Sequence, residues 1–121
     1  MKSLRILVVE DDALVAAVLA ELLEIQGHCV CAIVATEADA VAAALKLSPE
    51  MLIVDVRLRM GCGLGAVDRI QGRRLVAHVF VCGDASGVRA LRPGATVIQK
   101  PYLEQDLTLA LQRALDTVAA A

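Results

Sequence analysis

Three carboxylates and one lysine stand where short apolar runs end, and together they could handle phosphate. Ile6-Leu7-Val8-Val9 leads into Glu10-Asp11-Asp12, and Met51-Leu52-Ile53-Val54 leads into Asp55. Val79-Phe80-Val81 leads into Cys82-Gly83-Asp84, and Val97-Ile98-Gln99 into Lys100-Pro101. Hard oxygen ligands such as Glu10, Asp11 and Asp55 suit Mg2+, which takes one or two carboxylates and completes its shell with waters and phosphate oxygens. A carboxylate beside such an ion can attack phosphorus to form an aspartyl phosphate, a recognised kind of covalent catalysis. Lys100 would supply a compact positive charge for the phosphoryl oxygens. Each residue alone reads as a plain surface charge at a strand end. Their joint occurrence points to a site.

Glu10 and Lys100 lie 90 positions apart, so the elements between them must bring them together. Apolar periodicity switches five times between short continuous runs and helical spacing. Val15, Val18, Leu19, Leu22 and Leu23 share a helical face that ends near Gly27. Cys29 to Val34 reads as a second strand. Thr36 and Asp39 offer a start resembling a capping box for a helix with its buried stripe at Ala38, Val41, Ala42 and Leu45, stopped by Ser48-Pro49. Leu64, Val67 and Ile70 mark a short third helix. Only 17 residues separate Cys82 from Lys100, so the fourth helix, around Gly87 to Leu91, should be two turns at most. Leu103, Leu107, Leu111, Leu115 and Val118 mark a long last helix. Near-continuous hydrophobic strands alternating with helices predict a doubly wound α/β fold, a five-stranded parallel sheet covered on both faces. In such a sheet ligands bind beyond the carboxyl ends of the strands.

The bulk numbers agree with one domain. The chain has 121 residues, enough for a core without staples. Apolar residues make up 58% and mean hydropathy is +0.66, yet no run approaches the ~20 apolar residues of a membrane span. No signal-peptide pattern precedes the first strand. Cys29, Cys31, Cys62 and Cys82 form no C-x-x-C pair. Cys29 and Cys31 read as buried small hydrophobes, and a reducing, cytoplasmic setting is expected. Charge is uneven. Residues 1–55 hold three basic and nine acidic side chains, and residues 56–100 hold eight basic and two acidic. The arginines at 57, 59, 69, 73, 74, 89 and 92 predict a basic flank. Without aromatic interleaving, it reads as a solvated or protein-binding surface rather than a nucleic-acid site.

Taken together, Ile6 to Asp12, Leu52 to Asp55 and Lys100-Pro101-Tyr102 resemble the receiver domain of two-component response regulators, in order and spacing over the whole chain. The resemblance implies a flavodoxin-like (βα)5 fold with strand order 2-1-3-4-5. It also implies that Asp55 accepts a phosphoryl group from a histidine kinase or a histidine phosphotransfer protein. By the same resemblance Glu10, Asp11, Asp55 and the backbone carbonyl of Arg57 hold Mg2+. Lys100, Gly83 and the residue at position 82 meet the phosphoryl oxygens. Gly63 opens the third helix, and Pro101 follows a cis peptide. Output would pass to an unidentified protein by contact, from a stand-alone receiver (1–121) with no output domain. It would be no enzyme beyond catalysing its own phosphorylation and dephosphorylation.

The chain departs from that pattern at four places. Cys82 stands where the family has Thr or Ser, and a thiol is a weak donor. Val97 stands where the family has its switch aromatic. Arg59 replaces a common proline and Cys62 a common acid. Two other readings compete. A degenerate receiver would only bind partners. A dinucleotide-binding module would use Gly61, Gly63 and Ala66 as G-x-G-x-x-A, with Asp84 as the ribose ligand. Against the latter, six residues lie between Val54 and the first glycine, Gly61, whereas a pyrophosphate turn should leave its strand directly.

Overall fold

Alternate residues of the inner strands face two separate cores. In the computed structural model, which describes residues 1–121, five strands form one parallel sheet. They are β1 (Arg5–Val9), β2 (Cys29–Val34), β3 (Met51–Asp55), β4 (Ala77–Cys82) and β5 (Val97–Gln99). The order is β2-β1-β3-β4-β5, with every pairing parallel. Five helices cross over: α1 (Ala13–Ile25), α2 (Glu37–Leu47), α3 (Gly63–Gln71), α4 (Ala85–Leu91) and α5 (Glu104–Ala119). Ile6, Val8, Ile53, Val79, Val81 and Ile98 pack with Leu19 and Leu23 of α1 and Leu107 and Leu111 of α5. Leu7, Val9, Leu52, Val54, Phe80, Cys82 and Val97 face α2, α3 and α4. The period of two along each strand produces this division, and it is why the strands read as unbroken apolar runs.

With the fourth apolar run read over Val76 to Val81, every strand falls within one residue of its expected limits, and α4 is a seven-residue helix, as the short fourth crossover predicts. The helix faces differ more. On α1 the buried residues are Ala16, Leu19, Ala20 and Leu23, while Val15 and Val18 are exposed. On α2 they are Ala40 and Ala44; Ala38, Ala42 and Leu45 are exposed and Val41 is half-buried. On α2 the buried face is made of alanines alone, and on α1 Ala16 and Ala20 share it with Leu19 and Leu23, so Val15, Val18 and Leu45 beside them are turned outward. Leu103 caps α5 from outside and is exposed. Cys29 is also exposed and Cys31 half-buried, because β2 is an edge strand. The Cys31 thiol lies 3.4 Å from the Ile6 carbonyl. Neither cysteine belongs to the closed core.

His28, just before β2, is buried, and its Nδ1 accepts the Leu4 N–H at 3.1 Å. That bond requires an unprotonated Nδ1. Burial, helped by the N-terminal ammonium, holds the His28 pKa below its ordinary value. A depressed pKa contributes stability that is whole above the unfolded value, about 6.5, and is lost as pH falls through the folded one. Each unit of depression is worth about 1.4 kcal/mol. Wild type should therefore lose more stability between about pH 7 and pH 5 than His28→Asn, whose amide accepts the same bond without titrating. Parallel losses in melting curves of the two proteins would disprove it.

Candidate functional site

β1 and β3 are neighbours, but the chain leaves them toward opposite sides of the sheet, and the gap at this switch point opens a crevice at their carboxyl ends. Glu10, Asp11 and Asp55 meet there. One oxygen from each lies within 4.8 Å of the others. Glu10 and Asp55 are buried, and Asp11 is half-buried. Lys100, one residue past β5, reaches across β4 to both buried carboxylates. Its Nζ is 2.8 Å from Asp55 Oδ2 and 3.4 Å from Glu10 Oε1. The Lys100–Pro101 peptide is cis.

The electrostatics follow from this packing. Burial raises the Glu10 pKa, and neighbouring Asp55 adds to the rise against the Asp12 N–H and Lys100. Burial alone would lower the Lys100 pKa, but the bond to Asp55 and the charges of Asp55 and Glu10 outweigh it and leave it raised. Asp11 is held below the ordinary carboxylate range, first by the Arg59 N–H, which donates to its Oδ2 at 2.7 Å. The third acid of the run, Asp12, has a different task. It caps α1, its Oδ1 accepting the N–H groups of Leu14 and Val15.

A cavity of about 480 Å³ opens beside Asp55 and Lys100 and is also bordered by Arg57, Cys82, Gly83 and Asp84. Cys82 lines it from the end of β4, with its thiol pKa raised by burial against the Asp84 N–H. The group stays a neutral, weak donor, as expected of the departure at this position. Asp84 is the N-cap of α4, accepting from Gly87 N–H and Ser86 Oγ. Val97 is buried on the α4 side of the sheet.

The glycine-rich segment has a packing role. A Cβ on Gly63 would overlap the Asp55 carbonyl, and one on Gly61 (φ 92°) would overlap Glu37 Cβ. Glu37, at the start of α2, bonds the Cys62 N–H at 2.9 Å and Arg69 at 3.1 Å, while its own N–H donates to Met60 O. The glycines fit the β3–α3 loop around Glu37 and against Asp55, and Asp84 is engaged at α4. This overturns the dinucleotide reading of Gly61, Gly63 and Ala66. Glu37 had no signal in the sequence beyond that of an acidic first-turn residue. The basic flank is also less free than the arginine count implies. Arg69 pairs with Glu37, Arg92 with Asp68, Arg59 with Asp11, and Arg74 bonds the Pro49 carbonyl.

A family model described as the response regulator receiver domain matches residues 6–112. The chain belongs to this family. The receiver is 32% identical over 111 residues to the acid tolerance regulatory protein ActR of Rhizobium meliloti (strain 1021), covering 88% of this chain and 57% of that protein. ActR of Sinorhizobium medicae (strain WSM419) matches to the same extent, so the receiver spans little more than half the length of these curated relatives. Among solved structures, the receiver domain of Erythrobacter litoralis PhyR superposes with a TM-score of 0.83 at 26% identity, covering 96% of this chain and 92% of that one. NtrX of Brucella abortus gives 0.83 at 28% identity, over 98% of this receiver and 28% of that chain. No helix of the receiver is long and apolar enough to cross a membrane.

The acidic trio fits the divalent ion expected of such a receiver. Its donors are all hard oxygens, brought within reach of one another. Lys100 leaves the three carboxylates with a net negative charge for a cation to offset.

Proposed function

We propose that this receiver takes a phosphoryl group from a phosphohistidine onto Asp55 and signals the change by protein contact. The observation that carries the reading is the 2.8 Å bond between Lys100 Nζ and Asp55 Oδ2 inside the acidic crevice. Glu10, Asp11, Asp55 and the Arg57 carbonyl would hold Mg2+, which when bound offsets the charge of the incoming phosphoryl oxygens. An Asp55 oxygen attacks phosphorus, the P–N bond breaks, and the electron pair leaves with the imidazole, which takes up a proton. Lys100, already beside Asp55, turns to the phosphoryl oxygens. Gly83 leaves open space next to the site, with nothing within 4 Å of where a Cβ would sit.

Exposed Leu14, Val15 and Val18 on α1 and Leu103 before α5 offer the donor an apolar landing near the crevice. Val15 shares a small cavity with Glu10, Asp55, Lys100 and Tyr102. The donor would be a histidine kinase or a histidine phosphotransfer protein. A cytoplasmic setting goes with this reading, and all four thiols are free, as a reducing compartment requires. The test is incubation with acetyl phosphate and Mg2+, followed by intact mass, for wild type and Asp55→Asn.

The buried Cys82 thiol favours a second reading, a receiver that only binds partners; a wild type that never gains mass would support it. If the domain is phosphorylated, Cys82 also limits its response. A hydroxyl would give the phosphoryl oxygens a charge-assisted bond worth about 1.5–3 kcal/mol, and a ligand moves an equilibrium only by its differential interaction with the two states. Val97 adds no aromatic rotamer to shift. Beryllofluoride with Mg2+, standing in for the phosphoryl group, should perturb wild-type amide resonances only in the loops around Asp55, Cys82 and Lys100. In Cys82→Thr the changes should spread through residues 85–99. Large wild-type shifts across that segment would contradict the account.

A further inference from the structure

The carboxylates of the crevice are bonded by donors from the chain itself. Asp55 Oδ1 accepts the Arg57 N–H at 3.2 Å and Asp55 Oδ2 accepts Lys100. Glu10 Oε1 accepts Lys100, and Glu10 Oε2 the Asp12 N–H at 3.1 Å. Asp11 Oδ2 accepts the Arg59 N–H at 2.7 Å, the shortest of these bonds. Of the trio's oxygens only Asp11 Oδ1 accepts no bond from within the chain. Arg59 makes its bond from a firmly held loop. One and three residues on, Met60 O and the Cys62 N–H are both fastened to Glu37, and Gly63 packs on the Asp55 carbonyl.

We infer that Arg59 is a built-in competitor for the cation: its backbone N–H occupies the Asp11 carboxylate, and the strength of that bond sets how tightly the crevice takes Mg2+. This inference rests on the reading of Glu10, Asp11 and Asp55 as a metal site. A donor bonded to an anion lowers that anion's affinity for any other positive partner. The Arg59 guanidinium acts in the same direction, but its Nε lies 3.9 Å from Asp11 Oδ2 and the side chain is 83% exposed, so the ion pair contributes little. The larger part belongs to the backbone N–H, and proline is the one residue that lacks it.

Three proteins separate the two contributions. Wild type has both donors, Arg59→Ala keeps only the N–H, and Arg59→Pro has neither. Isothermal titration with MgCl2 should give Arg59→Pro a dissociation constant about tenfold lower than wild type, the order of one lost charge-assisted bond. Arg59→Ala should stay within about twofold. A wild-type titration followed by NMR gives an independent readout that needs no variant to fold. The Arg59 amide proton should move upfield as Mg2+ weakens its bond. A dissociation constant for Arg59→Pro equal to or above that of wild type, or an Arg59 amide proton indifferent to Mg2+, would overturn the inference. Asp11→Ala separates this failure from that of the site itself. If it binds Mg2+ as wild type does, the metal reading fails; if it loses binding while Arg59→Pro matches wild type, only the role of Arg59 fails.

Discussion

A hundredfold excess of Mg2+ over its dissociation constant is expected to raise the melting temperature of wild type by roughly 10 °C and to leave Asp11→Ala nearly unmoved. Only the folded chain brings Glu10, Asp11 and Asp55 within 4.8 Å of one another, so the cation binds the native state and stabilises it by mass action. At that excess the gain is about 2.7 kcal/mol. Asp11 is the informative position because it is the least buried of the trio and its removal leaves Lys100 on Glu10 and Asp55. The variant's metal-free stability should change little, so loss of the Mg2+ response is not loss of the fold. Equal shifts in the two proteins, or no shift in wild type, would show that the crevice is not a cation site. Thermal melts in matched ionic strength, with NaCl replacing MgCl2 in the control, remove general screening from the comparison.

The site was legible in the sequence to the extent that backbone topology determines it. A parallel sheet brings its carboxyl ends together, so Val9-Glu10-Asp11, Val54-Asp55 and Gln99-Lys100 had to converge once the strands were recognised. The strands themselves stand out because inner strands are apolar on both faces. Helix faces were harder. Val15 and Val18 on α1, and Leu45 on α2, join the hydrophobic pattern, but the buried faces are Ala16, Leu19, Ala20 and Leu23 on α1 and Ala40 and Ala44 on α2. Alanine carries little weight in such a pattern, although its size permits the closest approach to the sheet.

The β3–α3 loop was the least legible part. Gly61-Cys62-Gly63-Leu64-Gly65-Ala66 satisfies the dinucleotide pattern G-x-G-x-x-A, yet its glycines answer to Glu37 and the Asp55 carbonyl. The Arg59 bond to Asp11 is made by a backbone N–H, a group every residue but proline owns, so no residue type announces it. The arginine count likewise suggested a free basic flank, whereas Arg69 and Arg92 each have an acidic partner on a neighbouring helix.

The central claim is that Asp55 is the phosphoacceptor. Two nearby acids are poorer candidates. Glu10 stands 3.4 Å from the lysine, against 2.8 Å for Asp55, and Asp12 lies outside the trio, facing the first turn of α1 as its cap. Of the trio, Asp55 makes the shortest bond to the lysine and is the one that borders the 480 Å³ cavity, at the end of the strand beside the switch point. Intact mass spectrometry after incubation with acetyl phosphate and Mg2+ is the most direct test. Wild type and Asp12→Asn should each gain one phosphoryl group, while Asp55→Asn, folded by its circular dichroism, should gain none. Full labelling of Asp55→Asn, or a wild type that stays unlabelled with Mg2+ bound, would contradict the account.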